Sequence, residues 1–372
     1  LMVEAGTGTG KSFAYLIPAV EWAVKNSMRV VISTNTITLQ DQLIKKDIPD
    51  LAAALGSEVR ATVVKGRGNY LCPRRYSAMR KNGPENADEL RVLAKTLVWL
   101  YQGGSGDRSE INLNGPAERD VWLRLSAEDE GCKTEVCVAR TGGACPFYQT
   151  RMAAQSSHVL VVNHALLLAD VVTGNKVLPE YNYLIVDEAH HLESATTSAL
   201  SFRITQMDFV RMLREIGGIS SGLLGRLLTL LSHILQPSDF AALNAAVHKV
   251  TDTLFQLENN FSEFVHSLEN FMEEQRDGQP VSGYGQQTRV LPATRTLPSW
   301  TEVEIAWEQT QDNLRSVLSL VAEIQKAIGD ELDDIPTEVE DALGSLASVN
   351  RRLTETEQYL DHLVNTPDAG SV

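Results

Sequence analysis

The stretch VEAGTGTGKSFAYLIPAVEWAV, residues 3–24, constrains this chain more than any other. Its glycines ask for a backbone turn that residues with a Cβ adopt poorly. Directly after them Tyr15, Leu16, Ala19, Val20 and Ala23 recur at helical spacing. A glycine-rich turn feeding a helix is an anion site, because the N–H groups of the turn and the positive helix end face the same ligand. Ala5, Gly6, Thr7, Gly8, Thr9, Gly10, Lys11 and Ser12 fit the P-loop spacing. In that pattern Lys11 reaches the β- and γ-phosphates of ATP, and the Ser12 hydroxyl holds Mg2+.

Short apolar runs continue the pattern. MRVVIST, VRATVVK, SHVLVVNH and YNYLIVDEAHH read as strands rich in β-branched residues, and TLQDQLIKKDI between the first two reads as a helix. Strands alternating with helices predict an α/β fold, a parallel sheet covered on both faces. Ligands of such sheets sit outside the carboxyl ends of the strands, where Asp187 and Glu188 follow the fourth run. Asp187 is suited to bind Mg2+ and Glu188 to activate the attacking water, with His190 a candidate nucleotide sensor.

Between the second and third runs, roughly residues 72–150, lie all four cysteines, Cys72, Cys132, Cys137 and Cys145, among several turn-forming residues. We read this interruption as a loop-rich insert. Clustered cysteines suit a metal centre rather than a disulfide framework, which belongs to small secreted domains. No C-x2-C pair is present, so the uneven spacing favours an iron–sulfur cluster, with zinc as the alternative. Around Cys72, Arg60, Lys65, Arg67, Arg74, Arg75, Arg80 and Lys81 form a basic island, although the chain carries a net charge of −15. The first 205 residues balance acid against base, and the excess acid lies beyond them. The island is thus a candidate phosphate-contacting surface.

From about residue 206 the pattern becomes long and helical. Val250, Leu254, Leu257, Phe261, Phe264, Leu268 and Phe271 step along one helical stripe. Leu314, Val317, Val321, Ile324 and Ile328 form a second stripe, and Leu346, Leu353 and Leu360 a third. These predict antiparallel helices packed side by side, with a loop or short hairpin across DGQPVSGYGQQTRVLPATRTLPSW. Neither a run of about 18 apolar residues nor a basic-then-apolar leader is present, so no membrane partner is expected and the expected compartment is the cytoplasm.

In order and context these motifs resemble the superfamily 2 DNA helicases of the DinG and XPD type. EAGTGTGKS is followed by VISTNTITLQDQL, similar to the motif Ia region. KGRGNYLCPRR, CKTEVCVARTGGACPFY, VLVVNHALLL and the DEAH-like VDEAHHLE come next. The resemblance covers residues 1 to about 200, and the helical remainder fits the family by position and pattern only. It implies a RecA-like P-loop domain (1–71 and 151–205), an iron–sulfur insert (72–150) and a mostly helical arch domain (206–372). The implied activity is ATP-driven 5′ to 3′ translocation on single-stranded DNA, acting on branched or forked DNA in repair or replication. The protein would be a monomer associated with the nucleoid.

The resemblance also implies roles for single residues. Lys11, Asp187 and Glu188 would be catalytic, and the four cysteines would hold a [4Fe–4S] cluster that braces the insert. Thr34, Asn35, Thr36 and Gln40 would contact the DNA backbone, with Arg67, Arg74 and Arg75 as further DNA contacts. Tyr70 and Tyr76 would stack on bases or pack within the insert. The chain starts just before the P-loop and shows no second RecA-like domain, so we expect a fragment of a larger helicase with little activity alone. The competing expectation is a P-loop ATPase with a zinc-stabilised insert acting on RNA or protein.

Overall fold

Four short strands, β1 (Val30–Thr34), β2 (Ala61–Val63), β3 (Val159–Asn163) and β4 (Tyr183–Val186), pair into one parallel sheet of order β2-β3-β1-β4. The computed structural model describes residues 1–6, 8–84, 86–128, 132, 137–138, 141–276, 288–332 and 335–365. Two compact units divide the chain, Leu1–Ser201 and Phe202–Val372.

The central strands explain the apolar runs. Every residue of β1 is buried, as are the first four of β3, because both faces of the sheet are covered. On one face Leu16, Ala19, Val20 and Ala23 of α1 (Lys11–Asn26) pack against Val30, Ile32, Val159 and Val161. On the other, Val31, Leu160 and Val162 meet Leu166 and Leu167 of α8 (His164–Val172). The period-two alternation of a strand separates these two sets. β4 pairs only with β1 and leaves Tyr183 and Leu184 exposed. At the carboxyl edge Ser33 is in register with Val162 and Val186, so three strand ends share one row. After β1 come α2 (Ile37–Gln42), a π-helical turn (Leu43–Asp47) and α3 (Ile48–Leu55).

The cysteine-bearing interruption corrects the reading of a loop-rich insert. It forms α4 (Pro73–Asn82), α5 (Ala87–Tyr101), α6 (Gly115–Leu125) and α7 (Pro146–Ser156). Val92, Leu93, Trp99, Leu113, Val121, Trp122 and Leu125 bury against one another in a core of their own. The turn-forming residues mark helix ends: Asn86 accepts the N–H groups of Asp88 and Glu89 at the start of α5, and Gly83 follows α4. Lys65, expected on a basic surface, is 5% exposed. Its ammonium donates to Asp107 Oδ2 at 2.7 Å and to Ser109 Oγ at 3.2 Å, and lies 3.7 Å from Asp41 Oδ1. This buried cation ties the end of β2 to α2 and to the segment after α5.

The second unit consists of α10 (Gln206–Ile216), α11 (Gly222–Leu231), α12 (Pro237–Gln275), α13 (Pro298–Glu331) and α14 (Thr337–Val364), after α9 (Leu192–Leu200) closes the first. The three stripes lie in one core, where Leu268 is partly buried and the other stripe residues are buried. Phe264 meets Trp307 at 5.2 Å and Phe271 meets Trp300 at 5.0 Å between ring centroids, so α12 and α13 run antiparallel. Gln311 on α13 donates to Glu357 and Asp361 on α14 at 2.7 and 2.9 Å. Of the expected loop, 277–287 lies outside the described residues, and Pro298–Trp300 already belongs to α13.

Candidate active site

The turn before α1 has the backbone its glycines require. Gly8 and Gly10 have φ of 77° and 83°, a left-handed conformation that a Cβ would strain, and Thr9 Oγ1 donates to the Gly6 carbonyl at 2.8 Å. Thr7 lies outside the described residues. Gly10 caps α1 without a side chain of its own, so the first N–H groups of the helix remain available to an anion. Ala5, Lys11 and Ser12 are half-buried beside it.

Lys11 and Glu188, 177 positions apart, meet at 3.1 Å between Nζ and Oε1. The Lys11 bond holds the Glu188 carboxyl below its ordinary range, with the fields of Lys11, His190 and His191 acting the same way against a partial opposing effect of burial. Glu188 adopts the left-handed conformation, φ 52° and ψ 43°, at a cost of roughly 1–3 kcal/mol for a residue with a Cβ. Such local strain turns the chain sharply off β4. His190 Nδ1 stands 3.5 Å from Glu188 Oε2, and its ring centroid is 4.0 Å from that of His191. Ligand atoms of Glu188, His190 and His191 all lie within 4.8 Å of one another.

Tyr15 is a site residue that sequence reasoning missed. Its phenol donates to Asp187 Oδ2 at 3.1 Å. Burial, then the Asp187 charge, push its pKa well up, so it stays a donor, while the Ser12 side chain beside it pulls the other way. The tyrosine fits the apolar helical stripe of α1, and only the pairing of β1 with β4 brings Asp187 within its reach. Asp187 Oδ1 also accepts the N–H of Glu188 at 3.0 Å. The Ser12 hydroxyl and the Asp187 carboxylate are hard oxygen donors that suit Mg2+.

The expected DNA contacts separate by burial. Thr34 and Gln40 are fully buried, enclosed by the protein's own packing. Asn35 is half-buried and Thr36 exposed, with Thr36 Oγ1 accepting the Leu39 N–H at 3.2 Å to cap α2. Arg75 is committed to the protein: its Nη1 donates to the carbonyls of Leu123 and Ser126, both at 3.1 Å, near the end of α6. Tyr70 and Tyr76 are 3% and 9% exposed, and Tyr70 packs on Phe147 at 5.7 Å, so neither ring is open to a base.

All four cysteines carry free thiols and lie within one another's fields. Cys72, Cys137 and Cys145 are buried and Cys132 half-buried. Burial, and then Cys137, Cys72 and Cys145, push the Cys132 thiol up to about 12, against Arg67. Burial, Cys72 and Cys145 raise Cys137 as well, against Arg74. Cys72 and Cys145 each occupy the N-cap position of a helix, directly before a proline. Four thiols in one another's fields, with Cys132 and Cys137 resisting ionisation, fit a cationic metal group that takes the place of thiol protons.

The DEAD_2 family model matches residues 132–209, a span running from Cys132 through the Asp187–Glu188 turn. The chain is 34% identical over 240 residues to the 3′-5′ exonuclease DinG of Bacillus subtilis, covering 64% of this chain and 25% of that protein. It is 36% identical over 236 residues to the ATP-dependent helicase DinG of Mycobacterium tuberculosis, covering 58% and 35%. To the ATP-dependent DNA helicase DinG of Salmonella typhimurium it is 33% identical over 220 residues, covering 54% and 30%. The chain thus spans between a quarter and about a third of the length of these curated relatives. A parallel α/β domain that sets a P-loop against an Asp-Glu turn agrees with those matches, and over these spans the chain is similar in sequence to DinG helicases.

Proposed function

We propose that this chain carries the ATP-hydrolysing part of a DNA helicase that moves 5′ to 3′ on single-stranded DNA and acts on branched or forked substrates in repair or replication. The observation that supports it most is the contact of Lys11 with Glu188, which joins P-loop and strand-end turn in one site. In this reading the backbone N–H groups of the turn and Lys11 bind the ATP phosphates, and Glu188 orients the attacking water and receives its proton at a carboxylate oxygen. Ser12 and Asp187 would hold Mg2+, which supplies charge neutralisation on the phosphates. Tyr15 steadies Asp187, and His190 stands beside Glu188 as a candidate sensor.

Asn35 and Thr36, at the same edge of the sheet, would meet the DNA backbone, a contact that holds position without reading sequence. Cys72, Cys132, Cys137 and Cys145 would hold an iron–sulfur cluster that covalently ties α4, α7 and the segment between them. On this view 1–71 and 151–205 form the motor domain, 72–150 the cluster domain and 206–372 the arch of a monomeric, nucleoid-associated protein.

The test is ATP turnover by the full-length protein with and without single-stranded DNA. We expect DNA to stimulate it, and Glu188→Gln to lower kcat by a factor on the order of a hundred or more while nucleotide binding persists. DNA-independent turnover, or full activity in Glu188→Gln, overturns the reading. Anaerobic purification should yield about four irons and four sulfides per chain. Cys137→Ser should lose them and DNA unwinding together, with nucleotide binding retained. Stoichiometric zinc without iron overturns the cluster.

A further inference from the structure

His164 opens α8 directly after β3 and is 1% exposed. Its Nδ1 lies 2.7 Å from Ser33 Oγ, on a strand where Ser33 is itself fully buried. The Ser33 carbonyl accepts the N–H of Asp187 at 2.8 Å, so one residue of β1 holds both the imidazole and the start of the Asp-Glu turn. Burial lowers the pKa of the ring, and the backbone of Glu188 and of Asp187, close enough to act as hydrogen-bond acceptors, opposes it. Yet Nε2 finds no hydrogen-bond partner among the described residues. A buried, unpaired polar atom costs free energy that a leucine in the same place would not. In the tautomer where the Ser33 hydroxyl donates to Nδ1, the neutral ring carries its proton on Nε2, a donor beside the turn that bears both carboxylates.

We propose that His164 is a positioning residue, whose Nε2–H takes up a backbone carbonyl of the Asp187–Glu188 turn as that turn closes on nucleotide and so sets both carboxylates relative to the end of β1. The inference rests on the catalytic reading of that turn. Ser33 is three positions from Thr36, so the same link connects the carboxylates to the segment that leaves β1 toward the expected DNA contacts.

The test uses the full-length protein and steady-state ATP hydrolysis with and without single-stranded DNA, alongside thermal melting. His164→Ala should lower the DNA-stimulated kcat by about tenfold or more, as displaced catalytic groups do, while KM for ATP changes little. His164→Gln, which keeps a neutral donor, should recover most of the rate. Ser33→Ala should act in the same direction, and the double variant should be no slower than His164→Ala. If His164→Ala does not fold, the test rests on Ser33→Ala, which should lower kcat, and His164→Gln, which should stay near the unmodified rate. An unchanged kcat in folded His164→Ala or Ser33→Ala overturns the proposal. So does a parallel fall in kcat, ATP affinity and melting temperature that glutamine fails to rescue, or Ser33 and His164 effects that simply multiply. An unmodified protein that does not hydrolyse ATP overturns the proposed function and this inference with it.

Discussion

Lys11 and Glu188 form an ion pair whose consequences can be read by titration. A carboxyl held below its ordinary value of 4.5 keeps its pairing fully above that value and loses it as pH falls through the lowered one. Carbon-13 NMR of the glutamate carboxyls should therefore find Glu188 titrating below 4.5, and Lys11→Met should move its midpoint back up. A midpoint that ignores Lys11 would show that the pair is not formed in solution. Lys11, Ser12, Asp187 and Glu188 were legible from spacing, since a phosphate-binding turn needs glycines next to a helix start and a strand end supplies the carboxylates. Tyr15 and His164 were not legible. Each sits at a position that local periodicity explains as core, and its polar partner comes from a strand more than 100 residues away.

At the scale of elements, the insert is fastened to the sheet by a buried cation. Lys65 has a side chain 4% exposed, while its partners Asp107 and Asp41 are 23% and 27% exposed. Lys65→Met removes the ammonium from Asp107, while Asp41 keeps Lys45 at 2.7 Å. We expect a loss toward the lower end of about 3–5 kcal/mol, because the carboxylates keep some solvent. Hydrogen exchange should report it first at the Leu71 amide, which donates to the Gly106 carbonyl at 2.9 Å where the insert begins. Unchanged protection at Leu71 would mean that the tryptophan-centred core alone carries the insert. That core also explains why the insert misled sequence reasoning. Glycine and asparagine serve loops and helix caps alike, and only the burial of Trp99 and Trp122 between α5 and α6 distinguishes the two.

At the scale of the whole molecule, each unit has its own core. Residues 202–372 should therefore fold alone, giving a helical circular dichroism spectrum and a cooperative melt. In that piece Trp307→Ala should cost about 3–5 kcal/mol, since the ring is fully buried against Phe264. A broad, non-cooperative melt of the parent piece would contradict an autonomous core. No helix among the described residues is long and apolar enough to cross a membrane. By itself the sequence determined the sheet-and-helix alternation, the glycine-rich turn before α1, the carboxylates at a strand end and the three long helical stripes. Periodicity and turn chemistry are local, and they survive without knowledge of what each face meets. Only the tertiary structure decided that Lys65 and Arg75 serve the protein's own packing, that Thr34 and Gln40 are enclosed, and that Tyr15 and His164 face the Asp187–Glu188 turn. Burial and partner choice depend on which distant strands and helices come together, and strand order β2-β3-β1-β4 is written in no single stretch of the chain.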